Sequence, residues 1–236
     1  MTFSMKRVLA ILKKDYKDIS RNLYITTTLI LPPVMALLVN RTEGAGIDMY
    51  YMLISMALVL VGAYIQASLI AEEKEKNTLR GLMLSPASTF EIFAGKSLLS
   101  LLGTIAIVTL TIKLTDYRPQ NIPIIIVALL LSAIFYLGIG TLIGLFTKSV
   151  IEASVVILPV VFLFSFGSFI TTLIEKYAFL SFAEYLPNLQ LVELAKRVEN
   201  GDGISEVAVH LGVLLIWAIA IHLVAVLVYK KRMVDD

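Results

Sequence analysis

The chain has no cysteine. That excludes disulfides, zinc–thiolate sites and thiol catalysis. Charge is scarce as well: only 16% of the 236 residues are charged and 58% are hydrophobic, whereas a soluble domain is nearer a quarter charged and half apolar. Histidine occurs twice, and neither HExxH nor GxSxG is present. No carboxylate pair sits beside a histidine, so no catalytic set is visible. The net charge of +2 makes no case for nucleic acid, and no such partner is expected. A secretory signal is not expected either, because the apolar run at 8–12 ends at Lys13 and Lys14. No lipidation box is evident.

What the chain does have is long uncharged runs separated by short charged ones, the pattern of a polytopic helical membrane protein. Spans of about 20 residues are expected at roughly 23–39, 49–71, 97–113, 123–146, 154–173 and 209–229. The first carries Pro32 and Pro33, and the fifth carries Pro159, where a kink is expected. Residues 3–21 are too polar to span. Met5, Val8, Leu9, Leu12, Tyr16 and Ile19 recur at helical spacing opposite Lys6, Lys13, Lys14 and Lys17, which predicts an amphipathic helix lying in the membrane interface.

Orientation follows the lysines and arginines. The N-terminal helix, the second and fourth connections and the C-terminal Lys230–Arg232 run hold about 14 of them, against about 6 on the opposite side. Both termini are therefore expected to be cytoplasmic in a plasma-membrane protein. The longest outer connection, about 174–208, contains Leu191, Leu194, Ala195 and Val198 on one helical face, Pro187 before them and Gly201 after. It reads as a re-entrant or interfacial extracellular segment.

One stretch breaks the apolar pattern: residues 71–86, AEEKEKNTLRGLMLSP. Asn77 or Thr78 can cap a helix there, and Pro86 ends it. Leu79, Leu82 and Met83 fall at i, i+3, i+4 and form an apolar knob beside Arg80. About two turns of helix are not stable alone in water, so something must pack on the knob. That partner is the chain's own N-terminal helix or a groove on a separate cytosolic subunit.

The run from Glu73 through Asn77-Thr78-Leu79 to Ser85-Pro86, followed by Gly95-Lys96, resembles the signature of type-2 ATP-binding-cassette (ABC) exporter permeases. Leu186-Pro187, Val192-Glu193 and Arg197 resemble that family's pattern before its last span. Asn77 departs from it by standing where the family usually has glycine. The resemblance implies that Thr78–Ser85 is a coupling helix seated on an ABC ATPase, with Glu73, Glu75, Thr78, Leu79, Arg80, Leu82, Met83, Ser85 and Pro86 in the coupling region. It also implies a second permease chain, identical or related, and places ATP and magnesium in the partner ATPase, with no cofactor or metal in this chain. The chain's own Ala94-Gly95-Lys96-Ser97 is not a P-loop, since Phe90 stands where the motif needs glycine.

Other features have plainer readings. Gly140 and Gly144 form a GxxxG suited to close helix packing within the chain. His222, inside the last span, reads as a neutral imidazole bonded to another helix. The spans lack midplane carboxylates, which argues against ion-coupled transport. Phe162, Phe166, Phe169, Phe182 and Pro187 are the expected translocation path or gate, the bland alternative being an interfacial aromatic belt.

The expected fold is thus one all-α membrane domain over 1–236. It has about six transmembrane helices, an N-terminal amphipathic interfacial helix (3–21), a cytoplasmic coupling-helix loop (72–96) and an extracellular re-entrant segment (174–208). The expected function is the non-catalytic permease subunit of an ATP-driven exporter for a hydrophobic or amphipathic substrate such as a peptide, drug or lipid. The alternative is a membrane anchor or immunity protein that tethers a cytosolic partner.

Overall fold

A computed structural model of the chain describes residues 3–42, 44–78 and 87–235, and every element among them is helical. In chain order these are α1 (Met5–Arg21), α2 (Leu23–Val39), α3 (Ile47–Glu75), α4 (Thr89–Leu114), α5 (Ile122–Phe146), α6 (Val150–Ser165), α7 (Gly167–Lys176), a 3-10 segment (Ala178–Tyr185), α8 (Pro187–Asn200) and α9 (Ile204–Asp235). A single π-helical turn, Leu58–Ala63, interrupts α3.

Four of these helices are long and apolar enough to cross a membrane: α3, Glu91–Leu114 of α4, α5 and Ile204–Tyr229 of α9. The six-span expectation is not met by length alone. Helix α2 has 17 residues, or about 25 Å against a hydrocarbon core of about 30 Å. It forms a bent pair with α1, the two axes meeting at 78°. The span expected at 154–173 is broken into α6 and α7. Pro159 lies inside α6 without ending it, and the break falls at Phe166 (φ −99°, ψ 50°). The cause is a wedge from α8. Asn188 Nδ2 donates to Leu163 O at 3.4 Å, engaging a carbonyl that a continuous helix would bond to residue 167. Gly167 accommodates the wedge, since a Cβ there would lie 2.8 Å from Leu189 Cδ2.

Helix α3 is the axis of the bundle: the apolar window of this span is wholly buried among α2, α4, α5, α6 and α8. The GxxxG of α5 permits that burial. A Cβ on Gly140 would overlap Ala63 O and sit 2.8 Å from Gln66 Cβ, and one on Gly144 would sit 2.7 Å from Ile70 Cβ. Without side chains at these two positions, α5 lies directly on α3 by close backbone approach. Between them runs a polar seam. Gln66, fully buried, donates through Nε2 to Ser97 Oγ and Thr141 Oγ1, both at 3.2 Å, and accepts from Ser100 Oγ at 2.9 Å. The amide is satisfied on both of its faces, as a buried polar group requires.

Helix α9 packs on the other side of α5, where Gly138 meets Ile221 and the His222 ring. The His222 expectation needs correcting: its Nδ1 bonds Ala218 O of its own helix at 2.9 Å. The carbonyl four residues back lies one turn below on the same helix and is the acceptor this ring takes. The helix before α9 agrees with its sequence pattern. Pro187 opens α8, while Leu191, Leu194, Ala195 and Val198 are its buried face. Gly201, at φ +78°, closes it in the left-handed conformation that glycine adopts without a Cβ clash.

Candidate functional site at the charged end of the bundle

The charged insert is wired into the ends of its neighbouring helices. Helix α3 ends at Glu75, and Asn77 follows at φ +54°. Asn77 N donates to Lys74 O at 3.0 Å and Thr78 N to Glu73 O at 2.8 Å. Together these bonds close a helix on a left-handed residue. Asn77 therefore belongs to the turn that ends α3. Asparagine is one of the few residues with a Cβ that visits this region routinely, which accounts for its standing in a glycine position.

Consecutive side chains of the insert then diverge to four helices. Glu73, 2% exposed, receives Lys96 Nζ of α4 at 3.1 Å, and also Lys14 Nζ of α1 and Thr78 Oγ1. Lys74 turns the other way and donates to Leu145 O at 2.8 Å and to Thr147 O, two of the carbonyls left open where α5 ends. A cation belongs there, opposite the negative end of the helix dipole. Glu75 Oε2 accepts from Val150 N at 3.0 Å, at the positive start of α6. Glu72 pairs with Lys76 on the outside.

Lys96 is the hub. Its ammonium, 1% exposed, lies 3.1 Å from Asp15 Oδ2, 3.1 Å from Glu73 Oε1 and 3.3 Å from Leu69 O. Lys14 closes the square, 3.3 Å from Asp15 Oδ1. Two carboxylates thus face two ammonium groups, so the net charge inside is zero. Burial pushes the Asp15 carboxyl up, against the pull of Lys96 and Lys14. Burial works against the charge on Lys14 too, but its bond to Glu73 and the field of both carboxylates hold it above the lysine range.

The glycine before the hub sets the distance. A Cβ on Gly95 would lie 2.9 Å from Ile11 Cβ and 3.0 Å from Val8 O, so only glycine lets α1 come this close to α4. A second clamp secures the start of α1. Arg7 grips Glu91 through Nε at 2.9 Å and Nη2 at 2.7 Å, and Ser4 N also donates to that carboxylate. Glu91 meanwhile completes the capping box of α4 with Ser88. The bidentate geometry is the strong form of such a pair.

The buried face of α1 is accordingly Val8, Ile11, Asp15 and Ile19. The apolar face expected from spacing is divided: Val8 and Ile19 turn to the bundle, whereas Met5, Leu9 and Tyr16 are exposed. The helix therefore has three sectors: one on the bundle, one apolar and open, one cationic.

A family model described as ABC-2 family transporter protein matches residues 14–227. The chain belongs to the ABC-2 family. No curated protein matches it. Membrane chains of the ABC-2 family are generally non-catalytic and typically work with an ATPase subunit. The residues that carry the ABC-2 resemblance have visible structural work. Glu73 and Lys96 form the ion network, Asn77 turns the chain, and Gly95 admits α1. Leu79, Arg80, Leu82, Met83, Ser85 and Pro86 lie outside the described residues.

The aromatic residues expected to form a path are dispersed. Phe162 and Phe182 are each 68% exposed on the outer surface, and Phe162 stacks on Phe166 at 5.6 Å. Phe169 falls within α7, and Pro187 is buried at the first position of α8. The buried aromatic cluster is another set: Phe164 meets Phe135 at 5.7 Å and Tyr136 at 5.5 Å, and Phe135 meets Trp217 at 5.8 Å. Sequence reasoning missed Lys14 and Asp15 in the network around the insert, and the Arg7–Glu91 clamp beside it. Asp15 left a signal, because it is an acid at the spacing of Val8, Ile11 and Ile19.

Proposed function

We propose that this chain is the permease subunit of an ATP-driven exporter, working as a pair of permease chains with two ABC ATPases. ATP and magnesium bind in those partners, and residues 78–85 are the lever they grip. Closure of the ATPases on ATP pushes the lever, the helices rock, and an outward gate near 162–190 opens for a hydrophobic or amphipathic substrate. In this reading both termini and the charged end face the cytosol. Helix α2 and the α6–α7 pair serve as the two shorter crossings beside the four long ones, and α1 lies in the interface with Met5, Leu9 and Tyr16 toward the acyl chains.

The observation that carries the reading is the mounting of the loop. Its first anchor, Glu73, is tied by Lys96 and Lys14 to α4 and α1, and the adjacent Lys74 and Glu75 are tied to the ends of α5 and α6. A lever fixed to four helices at its root can move them together, whereas a plain tether needs no such root. Leu82→Asp tests it. The variant is expected to insert normally and to lose substrate export and any effect on the ATPase rate. Export at the parental rate would refute the assignment. So would labelling of Ser85→Cys by an impermeant maleimide added outside intact cells.

A further inference from the structure

At the opposite end of the bundle, the α6–α7 break and α8 enclose a cavity of about 470 Å³ against α3 and α9. Its apolar wall includes Met52, Phe164, Leu189 and Val213. Its charge is one-sided: Asp48, Glu184 and Glu193 line it against the single Lys196. Lys196 is taken by Asp48 at 2.7 Å, and Glu193 is held by Arg197 at 3.3 Å. Glu184 has no ion pair among the described residues. Two deeper groups stand out. Ser165 Oγ and Asn188 Oδ1 belong to residues 1% exposed that line this cavity, and neither atom has a hydrogen-bond partner among the described residues. Leaving such groups unpaired in a buried site is costly, and a ligand bearing donors would recover that cost. Two further polar side chains of the wall are bonded to protein: His210 Nδ1 bonds Gln190 Oε1 at 2.7 Å, and Gln190 Nε2 donates to Glu184 O at 2.8 Å.

We propose that this cavity binds the protonated amine of an amphipathic cation, whose N–H groups donate to Asn188 Oδ1 and Ser165 Oγ under the carboxylate of Glu184. The apolar body of the ligand lies on Phe164 and Leu189. A quaternary cation has the charge without the donors, and a neutral alcohol lacks the charge, so both fit the site worse. The ammonium can come from a free amine or from the headgroup of phosphatidylethanolamine. The proposal rests on the permease reading only in placing the site on a substrate route, and binding itself needs no nucleotide or ATPase.

The chain carries its own reporter. Trp217, its only tryptophan, donates to Tyr185 O at 2.7 Å, and Tyr185 lines the cavity. The purified full-length chain in phosphatidylcholine nanodiscs is titrated with 2-phenylethylammonium while Trp217 fluorescence is followed. A saturable change is expected, weakened at least tenfold for the trimethylated analogue and for 2-phenylethanol, and at least tenfold in Glu184→Gln and in Asn188→Ala. Glu184 is exposed, so its variant reports without a folding question. If nanodiscs of phosphatidylethanolamine give the shifted spectrum and abolish the response to added amine, the ligand is the lipid headgroup. An undiminished response assigns the free amine. Leu82→Asp, uncoupled under the reading above, is expected to bind normally. Absence of any saturable change with both sources, an equal response to the alcohol, or unchanged affinity in Glu184→Gln would overturn the proposal.

Discussion

Replacing Lys96 by methionine tests whether the ion network holds α1 to the bundle. Among the described residues, Lys96 is the only contact shared by Asp15 and Glu73 whose own side chain is fully buried. Its loss leaves two carboxylates facing each other, with the half-exposed Lys14 to neutralise one. Breaking a buried pair by removing one partner costs about 3–5 kcal/mol, and because Lys14 remains, the lower end applies here. About 3 kcal/mol is a factor of about 150 in the docking equilibrium of α1. The cysteine-free background makes the assay clean. Val8→Cys places a thiol on the face of α1 that is 2% exposed, and its maleimide labelling rate reports undocking. Lys96→Met is expected to raise that rate about a hundredfold. Neutralising the other members as well, in Asp15→Asn/Glu73→Gln/Lys96→Met, is expected to recover most of the protection, since no unpaired charge stays buried. A single variant that labels within twofold of its parent while keeping its helical circular dichroism would refute the argument, as would a triple variant no better than the single.

Further outcomes follow from other contacts. Asn77→Gly is expected to be neutral or mildly stabilising, while Asn77→Val should cost about 1–2 kcal/mol in thermal unfolding, because a β-branched residue is forced to φ +54°. Gly140→Ala must move α5 off Ala63 O and is expected to lose about 1–3 kcal/mol, whereas Gly212→Ala, with nothing within 4 Å, should be unchanged or gain up to about 1 kcal/mol in the same melt. The docking of α1 is expected to resist alkali. The folded pKa of Lys14 is raised, so its contribution is complete below the unfolded value of 10.5 and fades only as pH climbs through the higher folded one. Labelling of Val8→Cys should therefore show no new undocking between pH 8 and 10 once the intrinsic thiol ionisation is divided out.

Much of the fold was readable because its signals are long-range averages along one helix. The apolar helices α3, α4, α5 and α9 each run over twenty residues, and Pro187 and Gly201 bracket α8 by their backbone constraints alone. The break at Phe166 was not readable, since it depends on Asn188 reaching Leu163 from twenty-five residues away. The same limit applied to the charged end. Spacing identified Leu79, Leu82 and Met83 as a knob and Glu73–Lys76 as a charged run, but a run of alternating charges looks alike whether solvated or wired. Only the approach of α1, permitted by Gly95, turns Lys96 and Asp15 into partners of Glu73. The split of the apolar face of α1 has the same origin: periodicity finds the hydrophobic side but not which part of it meets protein.

Helix α3 joins the two ends of the bundle. Tyr51, Met52 and Ser55 line the cavity at one end, and Glu73, Lys74 and Glu75 hold the charged end. The helix has 29 residues, about 43 Å at the α-helical rise. Its π turn, Leu58–Ala63, lies midway, where Gly62 faces Thr104 and Tyr136. A π turn closes on i→i+5 bonds and so holds one residue more than an α turn. Removing one residue from it can restore a plain α-helix while both flanks keep their faces. Removing one residue elsewhere rotates everything beyond it by about 100° and turns Glu73 away from Lys96 or Tyr51 away from the cavity. Deletion of Leu60 is therefore expected to leave a folded chain with α1 docked, read by Val8→Cys protection, whereas deletion of Ala67 is expected to lose both. If the two deletions behave alike, the π turn is not a one-residue insertion in an otherwise continuous rod, and α3 does not carry register from one end of the bundle to the other.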